Sequence, residues 1–484
     1  MKQNGGPHQD ARRASGSTFR FQATRWAAVL IPGFVLYFVP LPGMTSVQRH
    51  LLAVFAATIV ALVAQPVRMG LSVTAAMTLL ALTRTLPPAK VLSGFSNLTV
   101  WLIVSAFLFA RAVTATGFGT RIGYLFIRRF AHTPLWLAYS LAAADLVLAP
   151  FIPSDTGRGG GIVFPIARAV AAAFGSEPGP TARRIGSYLM LVSFHSTYVG
   201  SAMFLTGMAA NPLIADFARQ IGHVELTWLR WFAGSSLPGL LTLATVPWLL
   251  RRLMQPEIHD TAPAREFAAA ELERMGPLTA REKRLLAILL AVMAGWIASP
   301  WHGISNTIVA LAGLCAILLA RVLSWDDVLD ERRAWDALLW FAPLLMMADA
   351  LNEAGVVQIL SGKLFHAMGG WPWPFALAAL VAAYLYVHYS FASMTAQVTA
   401  LYPSFLGAAL AAGTPPMLAA LPLGYFSSLN AATTHYGTGS APVFFEAGYV
   451  RQGDWWRVGF WISLVNLAIW MGVGALWWKV TGLW

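Results

Sequence analysis

Long apolar segments separated by short polar ones run through almost the whole chain. No Lys, Arg, Asp or Glu occurs in the 82 residues from Leu364 to Phe445, or in the 21 residues from Val458 to Trp478. A helix needs roughly 20 apolar residues to cross a bilayer, and its backbone polar groups are satisfied within the segment. Because the runs are continuous rather than alternating, they predict membrane-spanning helices and not strands.

The apolar segments fall into two groups of seven on either side of a polar stretch. We predict an all-α polytopic membrane protein with about 11 crossings, the shorter segments being broken or re-entrant pieces. The segments lie near residues 26–41, 50–66, 69–83, 97–116, 133–152, 185–206, 228–249, 285–300, 304–323, 336–351, 372–390, 399–412, 415–428 and 458–478.

Charged residues collect at the ends of these segments and predict the orientation of the chain. Basic residues are frequent before the first apolar run and in the central polar stretch, so the positive-inside rule places both in the cytoplasm. Thr279 followed by Glu282 predicts a capping box that opens the second half. The expected parts are a cytoplasmic tail (1–25), a first membrane half (26–250), a solvated cytoplasmic linker (251–284) and a second membrane half (285–484).

Composition agrees with a lipid environment. Only 11% of the residues are charged, whereas soluble domains carry about 25%. The formal charge of +12 could suit nucleic acid, but attraction to a membrane surface explains basic residues at segment ends. We therefore expect lipid and no nucleic acid as a partner. The polar first 25 residues lack a small-residue cleavage site, so we expect no removable signal peptide. We expect the chain to lie in a bacterial-type inner membrane.

Two features recur in both halves at nearly the same offset. The segment 101–111 runs on to Gly117, and the segment 339–349 runs on to Gly355 with the same spacing. A Ser-x-Thr triplet follows in each half, and the triplets are 239 residues apart against 238 for the segments. Two features that keep one offset indicate an internal repeat, which is typical of secondary transporters whose site lies where the repeats meet.

The first triplet, Ser154-Asp155-Thr156, lies where two prolines and four glycines break an apolar region. The helix that resumes near Ile162 offers N–H groups at its positive end, and the two hydroxyls add further donors. Arg158 adds a cation at the same place. These features predict an anion site, and the alternative is an interfacial loop whose arginine reaches the headgroups.

The second triplet, Ser393-Met394-Thr395, lies inside the charge-free run. Hydroxyls at membrane depth cost free energy unless they face a cavity or one another, so this cluster also predicts a site. The alternative is helix packing through small residues.

Two further polar breaks, 205–212 and 433–442, place glycine beside small or hydroxylated residues and end at proline. Each could present carbonyls to a cation and N–H groups to a carboxylate. His435 in the second break is either a satisfied core histidine or a charge partner for the substrate, and the sequence leaves both open.

Four stretches together resemble the divalent anion/sodium symporter family, and within it the citrate and 2-oxoglutarate/malate translocator branch. They are GFSNLTVWLIV at 94–104, PSDTGRGG at 153–160, MAANP at 208–212 and THYGTGSAP at 434–442. The resemblance covers roughly residues 26–484. It implies two inverted repeats with re-entrant hairpins, usually a homodimer, and an elevator-type movement of a transport part against a scaffold. It also implies secondary active transport of di- or tricarboxylate anions of the succinate, malate, 2-oxoglutarate or citrate type.

The family binds carboxylates between two hairpin tips, each of which carries a Ser-Asn-Thr triplet. Together with the charged side chains nearby, the resemblance gives the expected substrate-binding residues as Ser154, Asp155, Thr156, Arg158, Met208, Ser393, Met394, Thr395, His435, Thr438 and Gly439. The expected ligands of a sodium ion are Ser154, Asp155, Gly207 and Gly437, the two glycines through their carbonyls. Sodium as a coupling ion is the only non-protein component expected.

Two positions depart from the family pattern, because Asp155 and Met394 stand where the family has asparagine. A thioether is soft and makes a poor sodium ligand. An acid beside a bound anion requires Arg158, a proton or a cation to offset it. Two mechanisms therefore stay open, sodium symport and carboxylate exchange, and in the second Arg158 and His435 supply the positive charge of the missing sodium.

Other classes of protein remain as alternatives. The same fold could carry sulfate, tartrate or a sulfonated acid, whereas a channel would need a filter-like repeated loop that we do not find. Asp326, Asp327 and Asp330 form the D-D-x-x-D pattern of membrane prenyltransferases, which hold a magnesium diphosphate. Such enzymes normally use a second acidic motif as well, and none follows here, where the next residues are those of a solvated loop, 331–333.

Overall fold

The computed structural model describes residues 24–484, and this part of the chain is helical without any strand. Each of the fourteen predicted apolar segments corresponds to a helix, so the all-α prediction is confirmed. The predicted tail, 1–25, lies almost entirely outside the described residues.

The first half contains eleven α-helices. In chain order they are α1 (Thr24–Phe38), α2 (Ser46–Ala64), α3 (Met69–Leu82), α4 (Pro88–Leu92), α5 (Leu98–Thr116), α6 (Phe118–Phe130), α7 (Pro134–Leu148), α8 (Phe164–Ala173), α9 (Gly186–Met203), α10 (Asn211–Gly222) and α11 (Trp228–Met254).

The linker and the second half contain twelve more. They are α12 (Ala262–Met275), α13 (Ala280–His302), α14 (Asn306–Leu319), α15 (Trp325–Asp330), α16 (Arg332–Glu353), α17 (Val356–Ala367), α18 (Trp373–Tyr386), α19 (Met394–Ala411), α20 (Pro416–Leu429), α21 (Ser440–Glu446), α22 (Gln452–Leu467) and α23 (Gly474–Val480).

The start of α13 is fixed by the predicted capping box. The Thr279 hydroxyl accepts a hydrogen bond from the Glu282 N–H at 3.2 Å, and the Glu282 carboxylate accepts one from the Thr279 N–H at 2.8 Å. The two residues thus satisfy N–H groups that the first turn of a helix leaves without a partner. The prediction is confirmed.

Amphipathic helices escaped the search for apolar segments. Two of them, α6 and α17, each follow a long helix after a glycine in the left-handed region, Gly117 with φ 74° and Gly355 with φ 81°. A side chain would strain the backbone at these positions. The repeated spacing found in the sequence therefore marks the same local structure in both halves, a long helix, a glycine and a shorter amphipathic helix.

The stretch 251–284, predicted as a solvated linker, has many exposed residues but also a packed face. Helix α12 packs on α6 and α8 and buries Ala264 and Ala268 completely. Arg121 of α6 is buried against Glu282 with 2.6 Å between Nε and Oε1, and its Nη1 donates to the Gly276 carbonyl at 2.7 Å. This packing was not predicted, because alanines between the charges form the packed face and composition alone does not reveal it.

Six helices are long and apolar enough to cross a membrane. They are Ser46–Ala64, Leu98–Thr116, Trp228–Met254, Ala280–His302, Arg332–Glu353 and the combined helix Gln452–Val480, and four shorter apolar helices accompany them. Large side chains such as Leu82, Leu319 and Val480 are mostly exposed, as expected for a surface in contact with lipid. The number of crossings, about 11, stays a prediction.

The described chain forms two compact units, and each takes residues from both halves of the sequence. The smaller unit ends at Asn97 and also contains Asp336–Leu360; the larger contains Leu98–Trp335 and Ser361–Trp484. Helix α9 is the core of the larger unit, since each of its residues is buried against α7, α8, α11 and α20. Both triplets belong to this larger unit.

Candidate functional site

The first triplet lies at the start of a π-helix, Thr156–Val163, between α7 and α8. The Ser154 hydroxyl accepts a hydrogen bond from the Gly157 N–H at 3.0 Å, and the Ser154 carbonyl accepts one from the Arg158 N–H at 2.8 Å. The π-helix is rare and occurs mostly at functional sites. The prolines and glycines seen in the sequence thus form a wide helical turn that begins at the triplet.

Arg158 is fully buried and all of its side-chain N–H groups point into the protein. Nε donates to the Asp145 carboxylate at 2.9 Å. The remaining donors go to the carbonyls of Ile152 (2.9 Å), Thr197 (2.6 Å) and Gly207 (3.3 Å) and to the Ser201 hydroxyl (2.9 Å). The predicted contact of Arg158 with substrate, or with Asp155, is therefore not the one observed. A buried carboxylate needs a partner, and Arg158 supplies it to Asp145.

Asp145 is a residue that our sequence interpretation missed. It is fully buried in α7 and also accepts a hydrogen bond from the Thr197 hydroxyl at 3.3 Å. The signal was present, because an acidic residue inside the apolar segment 133–152 marks a functional position until a partner explains it.

Asp155 joins the first break to the polar segment 434–440. Its carboxylate accepts hydrogen bonds from the Ser440 hydroxyl at 3.0 Å and from the Thr438 hydroxyl. A Cβ on Gly439 would overlap the Thr156 hydroxyl oxygen, so this glycine allows the close approach. Two hydroxyl donors thus stabilise the charge of Asp155.

The second triplet begins helix α19. Ser393 is its N-cap, and the Ser393 hydroxyl accepts a hydrogen bond from the Ala396 N–H at 3.3 Å. Ser393 and Thr395 are partly exposed, whereas Met394 is buried. The hydroxyls of this triplet therefore border open space, and the residue that replaces the family's asparagine does not.

The helix break before α19, residues 387–393, is the second break of the site, and His388 holds it to the same polar segment. Sequence reasoning missed this histidine. Its Nε2 lies 3.0 Å from the Gly437 carbonyl, and its Nδ1 faces the side-chain oxygen of Gln397. Two hydrogen bonds orient the Gln397 amide. Its own nitrogen donates to the Tyr384 carbonyl at 2.6 Å, and its oxygen accepts from the Asn430 amide at 2.8 Å. The roles of the two ring nitrogens depend on the tautomer, and the tautomer that carries its proton on Nε2 donates to the Gly437 carbonyl.

The two remaining predicted residues lie in packed surroundings. Met208 is buried, and its sulfur lies 3.5 Å from the Ser428 hydroxyl. His435 accepts a hydrogen bond at Nδ1 from the Trp456 indole at 2.9 Å and packs on Phe445 with 4.4 Å between ring centroids. A ring that accepts at Nδ1 is neutral, so the structure favours the packed histidine over the charge partner.

The two breaks therefore meet through one segment. The first contacts it at Thr438, Gly439 and Ser440, and the second at Gly437. The hydroxyl-bearing residues of both triplets are partly exposed: Ser154, Thr156, Ser393 and Thr395. This is the arrangement that an anion site between two helix breaks requires, and the binding role of each residue stays a prediction.

The acidic pattern at 326–330 has a structural explanation. Asp327 closes a capping box with Ser324 at the start of α15, and its Oδ1 lies 3.1 Å from Arg111. Hydrogen bonds from the Ser324 backbone and hydroxyl, and the Arg111 guanidinium, hold the pKa of Asp327 below its ordinary value. Within residues 24–484 no group of three or more His, Cys, Asp or Glu side chains is placed to hold a metal ion.

Comparison with known proteins connects this geometry to a class of transporters. The sequence profile of the sodium:sulfate symporter transmembrane region matches residues 22–484. Dicarboxylate transporter 1, chloroplastic, of Arabidopsis thaliana is 41% identical over 461 residues, which are 94% of this chain and 83% of that protein. The L-tartrate/succinate antiporter of Escherichia coli (strain K12) is 33% identical over 482 residues, which are 95% of this chain and 99% of that protein.

Among solved structures, this chain is similar to MtrF of Neisseria gonorrhoeae, a representative of a class of antimetabolite efflux pumps. The TM-score is 0.56 at 14% sequence identity, and the match covers 83% of this chain and 84% of MtrF. At this identity the similarity concerns the fold alone, and that fold is the helical fold of a membrane transporter.

Proposed function

The chain belongs to the family of the sodium:sulfate symporter transmembrane region, and from that premise we propose that it carries dicarboxylate anions across a membrane as a secondary transporter. The chain is a multi-pass membrane protein and a transporter, not an enzyme. Relatives similar over nearly the whole chain are named for dicarboxylates in general and for tartrate and succinate. The prenyltransferase alternative is discarded, since Asp327 serves to cap α15.

The observation that carries the proposal is that one polar segment, 434–440, contacts both helix breaks, the first at Asp155 and Thr156 and the second at His388. Ser154 precedes the π-helix and Ser393 precedes α19, so both triplets lie at the positive ends of helices. The N–H groups there and the partly exposed hydroxyls are donors suited to carboxylate oxygens. A dicarboxylate has two such groups, and the site offers two sets of donors.

We further propose that transport is an exchange that does not need sodium. The Gly207 and Gly437 carbonyls were the expected sodium ligands, and each already accepts a hydrogen bond from a side chain, Arg158 at the first and His388 at the second. Met394 also replaces an amide oxygen with a thioether, a poor ligand for sodium. A donor of the protein thus lies at each carbonyl that a sodium ion would need, and at the second that donor belongs to His388 and not to His435.

Donors that belong to the protein cannot leave with the substrate as sodium does. A carrier whose donors stay in place should change orientation more readily when it is loaded with an anion than when it is empty. This property favours the exchange of one dicarboxylate for another over net uptake.

Uptake of labelled succinate into proteoliposomes tests both proposals. We expect uptake to require internal succinate or malate and to be the same at zero and high external sodium, with liposomes lacking the protein as the control. Competition by citrate and sulfate reports on tricarboxylates and inorganic anions as cargo. Uptake that requires sodium and ignores internal dicarboxylate would refute the exchange, and failure of any dicarboxylate to enter would refute the substrate class.

The orientation in the inner membrane, the homodimer and the elevator-type movement are proposals drawn from the family and the charge pattern. A single cysteine in place of Arg274, in a variant without the exposed Cys315, tests the cytoplasmic position of 251–284, because the Arg274 side chain is 76% exposed. Ala268, a fully buried residue of α12, is unsuitable for such labelling. Reaction with an impermeant reagent in intact cells would contradict the orientation.

A further inference from the structure

A cation outside both triplets borders the first of them. Arg333 is the second residue of α16 and belongs to the larger unit through Leu98–Trp335. Its Nη1 lies 3.9 Å from the point where a Cβ on Gly157 would stand, and the Ser154 hydroxyl oxygen lies 3.4 Å from the same point. The guanidinium and the first triplet therefore border one small gap, which Gly157 leaves open.

The Arg333 side chain is exposed, and within residues 24–484 its guanidinium makes no hydrogen bond or ion pair. The neighbouring Glu331 accepts a hydrogen bond from the Arg333 backbone N–H at 3.3 Å, and not from the side chain. Arg158, by contrast, uses all of its donors inside the protein. Arg333 is thus the arginine near Ser154 whose donors are available to a ligand.

The charge balance at the first break requires such a cation. The buried Arg158 and Asp145 neutralise each other, and Asp155 adds a negative charge that two hydroxyls stabilise. A dicarboxylate that docks on Ser154 would meet hydroxyl and N–H donors beside a fixed negative charge. One carboxylate can be held by such donors, but a second one needs a positive partner.

We propose that Arg333 binds one carboxylate of the substrate while the triplet hydroxyls bind the other, and that it thereby selects dianions over monoanions. This inference rests on the proposed transport of dicarboxylates. The planar guanidinium matches a carboxylate with two parallel hydrogen bonds, and its long stem can follow the substrate. Sequence interpretation assigned 331–333 to a solvated loop because consecutive charges carry no sign of what lies opposite them.

The test compares Arg333→Gln with Arg332→Gln, which removes the same charge from the adjacent exposed position. Exchange of labelled succinate in proteoliposomes gives KM and Vmax, and competition by succinamate, the half-amide of succinate, measures the preference for the dianion. For Arg333→Gln we expect KM for succinate to rise about tenfold, with Vmax within a few-fold of the parent. The preference for succinate over succinamate should fall by a similar factor.

Arg333→Lys should keep part of that preference, because it keeps the charge and loses the fork. Arg332→Gln should change neither value. The inference is overturned if both glutamine variants behave alike, or if Arg333→Gln weakens succinate and succinamate equally. A parent protein that exchanges no dicarboxylate would overturn the proposed function itself, and that result needs no variant.

Discussion

The two helix breaks of the larger unit occupy matching positions in the sequence repeat, yet they are held by different chemistry. The first is held by a fully buried ion pair, Arg158 with Asp145. The second is held by a histidine and two amides, His388, Gln397 and Asn430. In both, a side chain donates to the carbonyl of a glycine.

The difference separates the features of the repeat that serve the proposed site from those that only satisfy packing. Both halves keep the hydroxyl triplet, the helix start and the glycine carbonyl. The groups that hold the broken backbone vary, because an ion pair and an amide network can each satisfy buried polar atoms. The ion pair carries the larger penalty when one member is lost, since a single buried charge then remains.

The largest effect should come from breaking that ion pair. Arg158→Gln leaves Asp145 buried without a partner and should lower the free energy of unfolding in detergent by about 3–5 kcal/mol, with loss of exchange. The double variant Asp145→Asn with Arg158→Gln should regain part of the stability, because the unpaired charge is gone. A single variant as stable as the parent would show that the pair does not hold the first break.

The shared segment gives the next effect. A Cβ on Gly439 would overlap the Thr156 hydroxyl oxygen, so Gly439→Ala should shift the first triplet and lower the exchange rate by about 10- to 100-fold. Gly161→Ala is the matched control, because a Cβ on Gly161 meets nothing within 4 Å. Equal rates in the two variants would separate the segment 434–440 from the site.

The second break should respond less than the first. His388→Phe removes the ring donor from the buried Gly437 carbonyl, which should lower the free energy of unfolding by about 1–3 kcal/mol. His366→Phe, at an exposed position, should change it little. If His388→Phe costs as much as Arg158→Gln, the contrast between the two breaks fails.

A partly exposed ion pair supplies the smallest effect and a reference for the buried one. Asp327→Asn should lower the free energy of unfolding by about 0.5–1 kcal/mol and leave exchange within a few-fold of the parent. Because the folded-state pKa of Asp327 is lowered, its contribution is present above the unfolded value near 3.9. It is lost as the pH falls through the folded pKa.

Unfolding of the parent and of Asp327→Asn between pH 7 and pH 3 measures this contribution. The two proteins should differ at pH 7 and converge at the acidic end. Asp326→Asn, at an exposed position outside the capping contact, is the control. A difference that persists unchanged at the lowest pH would show that the charge of Asp327 is not its source.

The apolar helices, the Thr279 capping box and the two triplets were predictable from the sequence because each depends on residues close together in the chain. The partners of the buried charged groups could not be predicted in this way. Asp145 and Arg158 are 13 residues apart, and they meet only because the chain reverses between α7 and the π-helix. The surroundings of His435 and the packing of α12 were not predictable for a related reason, since aromatic and helical neighbours from other segments decide them.

The π-helix Thr156–Val163 also bears on how such a site can change during evolution. A π-helical turn forms when one extra residue is accommodated in an α-helix. Deleting one residue from the glycine run 159–161 would restore the α-helical repeat and rotate the triplet by about 100° about the helix axis. Gain or loss of a single codon here would thus re-aim Ser154 and Thr156 and leave α7 and α8 intact, a route to a new substrate that needs no substitution at the triplet.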